Sequence, residues 1–311
     1  TLMNKPFFSV IIPTFNQLNF LKKALDSVFK QTYRNFEIIV IDNYSKDGTE
    51  NFVKKNNKKI IYKKIHNKGI IAKSRNLGIK LAKGKWVTFL DSDDYWKKNK
   101  LDTVYNLQKN SFLEIICHSE WAFYSDKKFF KFQSYGPYKN NFYELLLKQG
   151  NRLSTSATTV KKDFIYKNKI IFDEKKEFIS SEDYSFFMNI ARNKANFYFV
   201  NQPLGYHVFH KQSISSNLSK HLKSAESVLK HHTFNVQKFT KNKVKLWEEI
   251  KNFYTLKIIF INLSNSSLNK QLKKLIRFFF RKPIFTIIFI QNILLKKFKD
   301  YLLHLFYKSE L

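Results

Sequence analysis

The sequence predicts an α/β fold: a mostly parallel sheet flanked by helices, followed by a helical, basic and amphipathic C-terminal region. Apolar, strand-like runs alternate with helix-period stripes through residue 110. Polar and acidic residues collect just after each apolar run, and from about residue 219 the alternation gives way to helical periodicity.

Residues 7–13 form an apolar run broken by one serine and bounded by Pro13-Thr14-Phe15-Asn16, the pattern of a strand buried on both faces. A helix follows, with Leu18, Leu21, Leu25, Val28 and Phe29 on one stripe and Lys22, Lys23, Asp26 and Lys30 facing away. The next strand, Phe36-Glu37-Ile38-Ile39-Val40-Ile41, stops at Asp42-Asn43-Tyr44-Ser45-Lys46-Asp47-Gly48-Thr49. That stretch is dense in turn formers, and a helix starts near Thr49. Residues 60–65 read as a third strand and 70–82 as a third helix, broken at Gly84. Trp86-Val87-Thr88-Phe89-Leu90 is a fourth strand, ending at Asp91-Ser92-Asp93-Asp94 ahead of a helix expected over 95–110. Residues 151–160 read as a β segment with small polar side chains.

Three carboxylates at the end of a buried strand repel one another, so the tetrad asks for a cation. Hard oxygen ligands suit Mg²⁺ or Mn²⁺ carrying a phosphorylated substrate. A competing reading has Ser92 or Asp93 simply capping the next helix. In a parallel sheet ligands sit beyond the strands' carboxyl ends, where Asn16, Asp42, Asn67 and Asp91 all fall. Asp42 can accept a hydrogen bond from a base imide and Asp91 from ribose hydroxyls. Arg75 can reach a diphosphate with its planar fork, and Gly69 allows close backbone approach. Neither a Walker phosphate loop nor G-x-G-x-x-G is present, which argues against ATP hydrolysis and nicotinamide chemistry.

Four stretches carry a resemblance: Ser9-Val10-Ile11-Ile12-Pro13-Thr14-Phe15-Asn16; Val40-Ile41-Asp42 through Gly48-Thr49; Asn67-Lys68-Gly69 with Ala72, Ser74-Arg75-Asn76 and Gly78; and Phe89-Leu90-Asp91-Ser92-Asp93-Asp94. In order and spacing the chain resembles family 2 inverting glycosyltransferases of the GT-A fold, closely over residues 8–99 and more loosely to Ser215. Its Lys-, Asn- and Phe-rich character is also similar to the branching glucosyltransferases of bacterial N-glycosylation, which act on a polyprenyl-diphosphate-linked oligosaccharide. Asn43-Tyr44 departs from the family's usual Asp-Gly.

The resemblance implies that Pro13, Thr14, Phe15 and Asn16 form a nucleotide-facing loop, with Asp42 at the uracil. Asn67, Arg75 and Ser92 would line the donor site, Asp91 would lie near the ribose, and Asp93 would ligate Mg²⁺ or Mn²⁺ on the diphosphate of a UDP-sugar. The family's catalytic acidic pair corresponds to Glu182-Asp183, and the base role falls on Asp183. The same pair also suits a helix N-terminus, where acids favour the macrodipole. A late histidine toward the metal corresponds to His210 rather than His207, whereas His231-His232 is assigned to a surface helix. The implied organisation is a GT-A domain over 1–218, with a donor half at about 6–110 and an acceptor half at about 111–218. A membrane-associating helical region follows over 219–311.

One cysteine, Cys117, excludes an internal disulfide and fits a reducing compartment. No secretory signal is read ahead of the first strand, which Met3-Asn4-Lys5 enters directly. A formal net charge of +32 draws the protein toward polyanions, yet no helix-turn-helix, zinc-finger or RNP signature reads bases, so no nucleic acid partner is expected. The joint excess of Lys, Asn, Phe and Ile also fits an AT-rich coding bias.

Late in the chain Lys270, Lys273, Lys274, Arg277, Arg281 and Lys282 crowd beside Leu275, Ile276 and Phe278-Phe279-Phe280. Residues 283–295 are too short and too interrupted by Gln291-Asn292 to span a bilayer. An apolar helix edged by cations fits the anionic headgroup layer, and an oligomer seam is the rival reading. The expected location is peripheral, at the cytoplasmic face of the inner membrane, where a polyprenyl-linked acceptor resides. Two functions follow: a metal-assisted UDP-sugar transferase, with glucose the expected sugar, or a non-catalytic basic membrane-surface or polyanion-binding protein.

Overall fold

The computed structural model describes residues 5–56, 60–109, 112–210, 213, 218–263 and 268–308. Met3, Asn4 and Ser215 lie outside them. The chain divides into two compact units, Thr1–Asn140 with Arg152–Val228, and Asn141–Asn151 with Leu229–Leu311.

The first unit opens with β1 (Phe8–Thr14), α1 (Leu18–Phe29), β2 (Phe36–Asp42), α2 (Thr49–Asn56), β3 (Ile60–Lys64), α3 (Ile71–Leu81) and β4 (Trp86–Phe89). Next come β5 (Tyr95–Trp96), α4 (Lys100–Gln108), β6 (Ile115–Tyr124) and β7 (Phe129–Gln133). After α5 (Phe142–Gln149), which belongs to the second unit, follow β8 (Thr158–Lys161), α6 (Lys162–Lys167), α7 (Glu182–Arg192) and β9 (Phe197–Phe209). The described residues form one nine-stranded sheet in the order β3-β2-β1-β4-β8-β6-β9-β5, with β7 on β6.

β1 is buried along its whole length because β2 and β4 pair with it in parallel, one on each edge. The apolar stripe of α1 supplies Leu21, Ala24, Leu25 and Val28 to the core formed with Val10, Ile12 and Val40. Parallel register sets Thr14 against Asp42 and Asp42 against Lys64, so the carboxyl ends of β1, β2 and β3 open at one edge. α3 can lie close to this sheet because Gly78 has no side chain; a Cβ there would collide with Ile11. At β4 the direction changes: β8 runs antiparallel to both β4 and β6, and β9 then pairs in parallel with β6.

The structure corrects three local expectations. The helix expected over 95–110 begins only at Lys100, because Tyr95 and Trp96 pair with Tyr206 and Gly205 of β9 and the Trp96 N–H donates to Ser27 Oγ at 3.1 Å. Within 151–160 the strand starts at Thr158; the serines and threonines before it form a loop whose hydroxyls bond to distant residues. His232 is not on a surface helix: it is fully buried in a π-helical turn, and its Nδ1 lies 3.1 Å from the Tyr143 hydroxyl. None of these partners is local in sequence, so periodicity could not reveal them. Trp86 and Trp121 are core residues.

The second unit combines α5 and the end of α8 (Leu218–His231) with α9 (Lys243–Leu263), α10 (Leu268–Arg281) and α11 (Pro283–Tyr307). Lys148 of α5 bonds Glu249 of α9 at 3.0 Å, and Phe289 of α11 packs on Phe253 and Phe260 of α9. Much apolar surface stays outside: Phe280 is 79% exposed, Ile284 74%, Leu295 67% and Phe306 72%. Lys273, Lys274, Arg277, Arg281 and Lys282 are exposed along the same two helices. Among the described residues no helix is long and apolar enough to cross a membrane.

Candidate active site

The tetrad after β4 is a turn, closed by the Asp94 N–H donating to the Asp91 carbonyl at 3.1 Å. Its three carboxylates meet three different fates. Asp91 accepts from Arg75 Nη2 at 2.7 Å. Asp93 Oδ2 lies 3.0 Å from His210 Nε2, whose ring stacks on Phe20 at 4.4 Å. Asp94 is buried and accepts from the Val208 N–H at 2.8 Å and from the Ser156 hydroxyl at 2.5 Å. Desolvation pushes the Asp94 carboxyl well above the ordinary range, against the pull of His207. Asp94 therefore braces the turn, although it lines the same cavity as Asp91 and Asp93.

Arg75 joins the two acidic sites. Its Nη1 donates to Glu182 Oε1 at 2.6 Å while Nη2 holds Asp91, and the side chain is only 4% exposed. Burial works against its charge, but Asp91 and Glu182 more than offset that and keep it firmly protonated. Arg75 and Glu182, 107 residues apart in sequence, are thereby in direct contact, with Asp91 on the same guanidinium. Glu182 also accepts from the Ser180 N–H at 2.9 Å, where Ser180 sits in left-handed backbone ahead of α7. Asp183, next along the first turn of α7, has its carboxyl pushed up to about 7, chiefly by desolvation and then by Glu182, with Arg75 opposing.

A cavity of about 310 Å³ is lined by Pro13, Arg75, Asp91, Ser92, Asp93 and Asp183, together with Gly69. Asp93 and Asp183 thus face one space. Its other wall comes from later in the chain: Gln133, Tyr135, Ser154, Thr155 and His207.

Thr14, Phe15, Asn16, Asp42 and Asn67 are not among the side chains around this cavity. They form a knit of loops at the strand ends. The Asn16 N–H donates to Ser45 Oγ and Asn16 Oδ1 accepts from the Lys46 N–H, both at 2.8 Å. Asp42 is fully buried, accepting from the Ser45 N–H at 3.0 Å, the Ser45 hydroxyl at 2.6 Å and the Tyr62 hydroxyl. The Asn67 N–H donates to Asn43 Oδ1 at 2.9 Å and Asn67 Oδ1 accepts from the Gly69 N–H at 2.8 Å. Asn43, the departure noted in sequence, ties two of these loops together. Tyr44 beside it stacks on His66 at 3.7 Å and is half-exposed, as is Phe15.

Gln17 gave no sequence signal of a role, and Ser156 only that of a hydroxyl in the 151–160 stretch that typically faces the acceptor in the family the sequence resembles. Gln17 accepts from the Ser92 hydroxyl at 2.5 Å, and Ser156 holds both Asp94 and the Asp91 N–H. Among the described residues no group of three or more His, Cys, Asp and Glu is arranged to enclose a metal. The pair Asp93–His210 fits a hard divalent ion that keeps waters and takes further oxygens from a substrate's phosphates.

A sheet that gathers carboxylates at its strand ends, with helices around it and a cleft where strand direction changes, is the build of a GT-A glycosyltransferase. The family model described as glycosyl transferase family 2 matches residues 9–170, and the chain belongs to that family. An Escherichia coli protein named UDP-Glc:alpha-D-GlcNAc-diphosphoundecaprenol beta-1,3-glucosyltransferase WfaP is 30% identical over 71% of this chain and 85% of its own. S. aureus TarS 1–349 in complex with UDP-GlcNAc superposes with a TM-score of 0.59 at 23% identity, over 84% of this chain and 74% of that one. The mannosyltransferase PcManGT from Pyrobaculum calidifontis, in complex with GDP-Man and Mn²⁺, does so at 0.51 and 14% identity, over 93% and 86%. At these identities the structural likeness is one of fold.

Proposed function

We propose that this glycosyltransferase moves a sugar, glucose by expectation, from a UDP-sugar to a hydroxyl of a polyprenyl-diphosphate-linked saccharide, with inversion in a single displacement. The observation that carries the reading is the shared cavity of Asp93 and Asp183, spanned by the bridge Asp91–Arg75–Glu182. The WfaP name supports the class of donor and acceptor. The loops of Thr14, Phe15, Asn16, Asp42 and Asn67 form the uridine side, and Pro13, Ser92 and Asp91 the ribose and diphosphate side.

Asp183 is the base. As the acceptor oxygen bonds the anomeric carbon and the bond to UDP breaks, the acceptor's proton passes to the Asp183 carboxylate. A carboxyl raised to about 7 is poised for this near neutral pH, where a base holds a proton well yet is still partly free to take one. Arg75 holds Glu182 and Asp91 in place beside Asp183. Mg²⁺ or Mn²⁺ held by Asp93 and His210 would supply Lewis-acid stabilisation of charge on the departing diphosphate.

We assign the exposed apolar and cationic surface of α10 and α11 to the headgroup layer of an anionic leaflet, where each Lys or Arg contributes roughly 1 kcal/mol. The location that goes with this reading is peripheral, at the cytoplasmic face of the inner membrane, where a lipid-linked acceptor would reside. A screen of UDP-glucose, UDP-galactose, UDP-GlcNAc and UDP-GalNAc for metal-dependent UDP release, with and without polyprenyl-diphosphate saccharides, tests the whole reading. Release that requires one donor and the lipid acceptor supports it; no release with any combination overturns it.

A further inference from the structure

The late wall of the cavity contains polar groups that the chemistry above leaves unused. Glu120, in the middle of β6, is fully buried yet belongs to no ion pair with Lys or Arg among the described residues. The Tyr135 hydroxyl donates to its Oε2 at 2.6 Å, and His207 Nδ1 stands 4.0 Å from the same oxygen. That Nδ1 is buried without a hydrogen-bond partner, while the ring, 30% exposed, lines the cavity. Gln133 pairs directly across the strands with Glu120, and Tyr135 and Gln133 line the same cavity.

A buried carboxylate is costly, and an orphaned ring nitrogen adds to that cost. Packing alone would be served by apolar residues at these positions. What the arrangement offers is a matched pair of functions. Because the Tyr135 proton is committed to Glu120, its oxygen can only accept toward a ligand, a role it also plays toward Ser154. Because His207 turns Nδ1 toward Glu120, Nε2 is the nitrogen left for a ligand. A sugar hydroxyl both donates and accepts, which is what such a pair fits.

We propose that Tyr135, His207 and Gln133 form a pyranose-hydroxyl subsite that discriminates among sugar substrates, with Glu120 as the positioning residue beneath it. The inference rests on the transferase reading and adds residues that read the sugar rather than the nucleotide. The ring can belong to the sugar being transferred or to the terminal sugar of the acceptor, and the two make different predictions.

The test uses the full chain with Mn²⁺, the UDP-sugar selected by the screen, UDP itself, and a diphosphoundecaprenol-linked GlcNAc. Tyr135→Phe, His207→Asn and Glu120→Gln are compared with wild type. If the subsite holds the transferred sugar, the Kd for the UDP-sugar rises about tenfold while that for UDP is unchanged. If it holds the acceptor sugar, acceptor KM rises by that factor while UDP-sugar Kd and kcat hold. In either case a deoxy analogue of the hydroxyl concerned loses less on the variants than on wild type. His207→Asn keeps the test sound if Tyr135→Phe fails to fold. Unchanged Kd and KM in all variants, or parallel loss of UDP affinity, overturns the proposal. A wild-type chain that binds no UDP-sugar overturns the underlying reading instead.

Discussion

The two units treat charge in opposite ways. In the first, carboxylates are drawn inside and met by specific partners: Arg75 between Asp91 and Glu182, His210 on Asp93, Ser156 and Val208 on Asp94. In the second, α10 and α11 keep lysines and arginines in solvent beside exposed phenylalanines and leucines. The first pattern gathers fixed charges around one cavity. The second is a surface of two chemistries that a headgroup layer, apolar below and anionic above, would satisfy together. Buried pairs are sensitive to single atoms, whereas a broad surface changes by increments.

The largest effect is expected where one atom matters most. Asp183→Ala should lower kcat by about 10²–10⁴-fold, the usual contribution of a general base, with UDP affinity unaltered by calorimetry. Near-normal turnover would falsify the assignment. Asp93→Asn should weaken metal activation, shifting the Mn²⁺ needed for half-maximal rate upward by about tenfold or more, on the scale of lost metal-site support. A metal titration unchanged from wild type removes Asp93 from the metal site.

Arg75→Ala tests the bridge through stability. Stranding Glu182 and Asp91 should cost about 3–5 kcal/mol, the scale for breaking a buried ion pair, read as a lower midpoint in urea. The pH profile sharpens the same point. The base acts deprotonated, so activity should fall as pH drops through about 7. Arg75 holds the Asp183 pKa down, so Arg75→Lys, with its charge less well placed, should move that limb to higher pH. A limb that stays put removes Arg75 from the electrostatics of the base.

The smallest single-site effects belong to the second unit. Lys273→Gln and Lys274→Gln together should weaken flotation with anionic vesicles by about 2 kcal/mol at low salt, and less at high salt. Ile284→Glu with Leu295→Glu should release the protein further. Vesicle binding indifferent to all four changes leaves α10 and α11 to another partner.

Much of the first unit was legible in the sequence because its signals are local. Residues 7–13, 36–41 and 86–90 read as strands since an apolar run suffices to mark a strand buried on both faces, and β1, β2 and β4 stand there. Asp91 and Asp93 were legible because a parallel sheet sends its loops to one edge. The late wall was not: Glu120 and Tyr135 sit in ordinary strand sequence, and Ser156 in a stretch that read as β. Their meaning depends on partners 15 to 65 residues away.

The sequence by itself determined the alternation of strand and helix, the family, and the strongly cationic balance of the chain, because each is written in composition and short-range pattern. Only the tertiary structure decided which carboxylate does what. Asp91, Asp93 and Asp94 are near-identical neighbours in sequence, yet a guanidinium, an imidazole and a serine hydroxyl claim one each. The role of an acid depends on the charge and desolvation around it, and those come from wherever the fold brings the chain back.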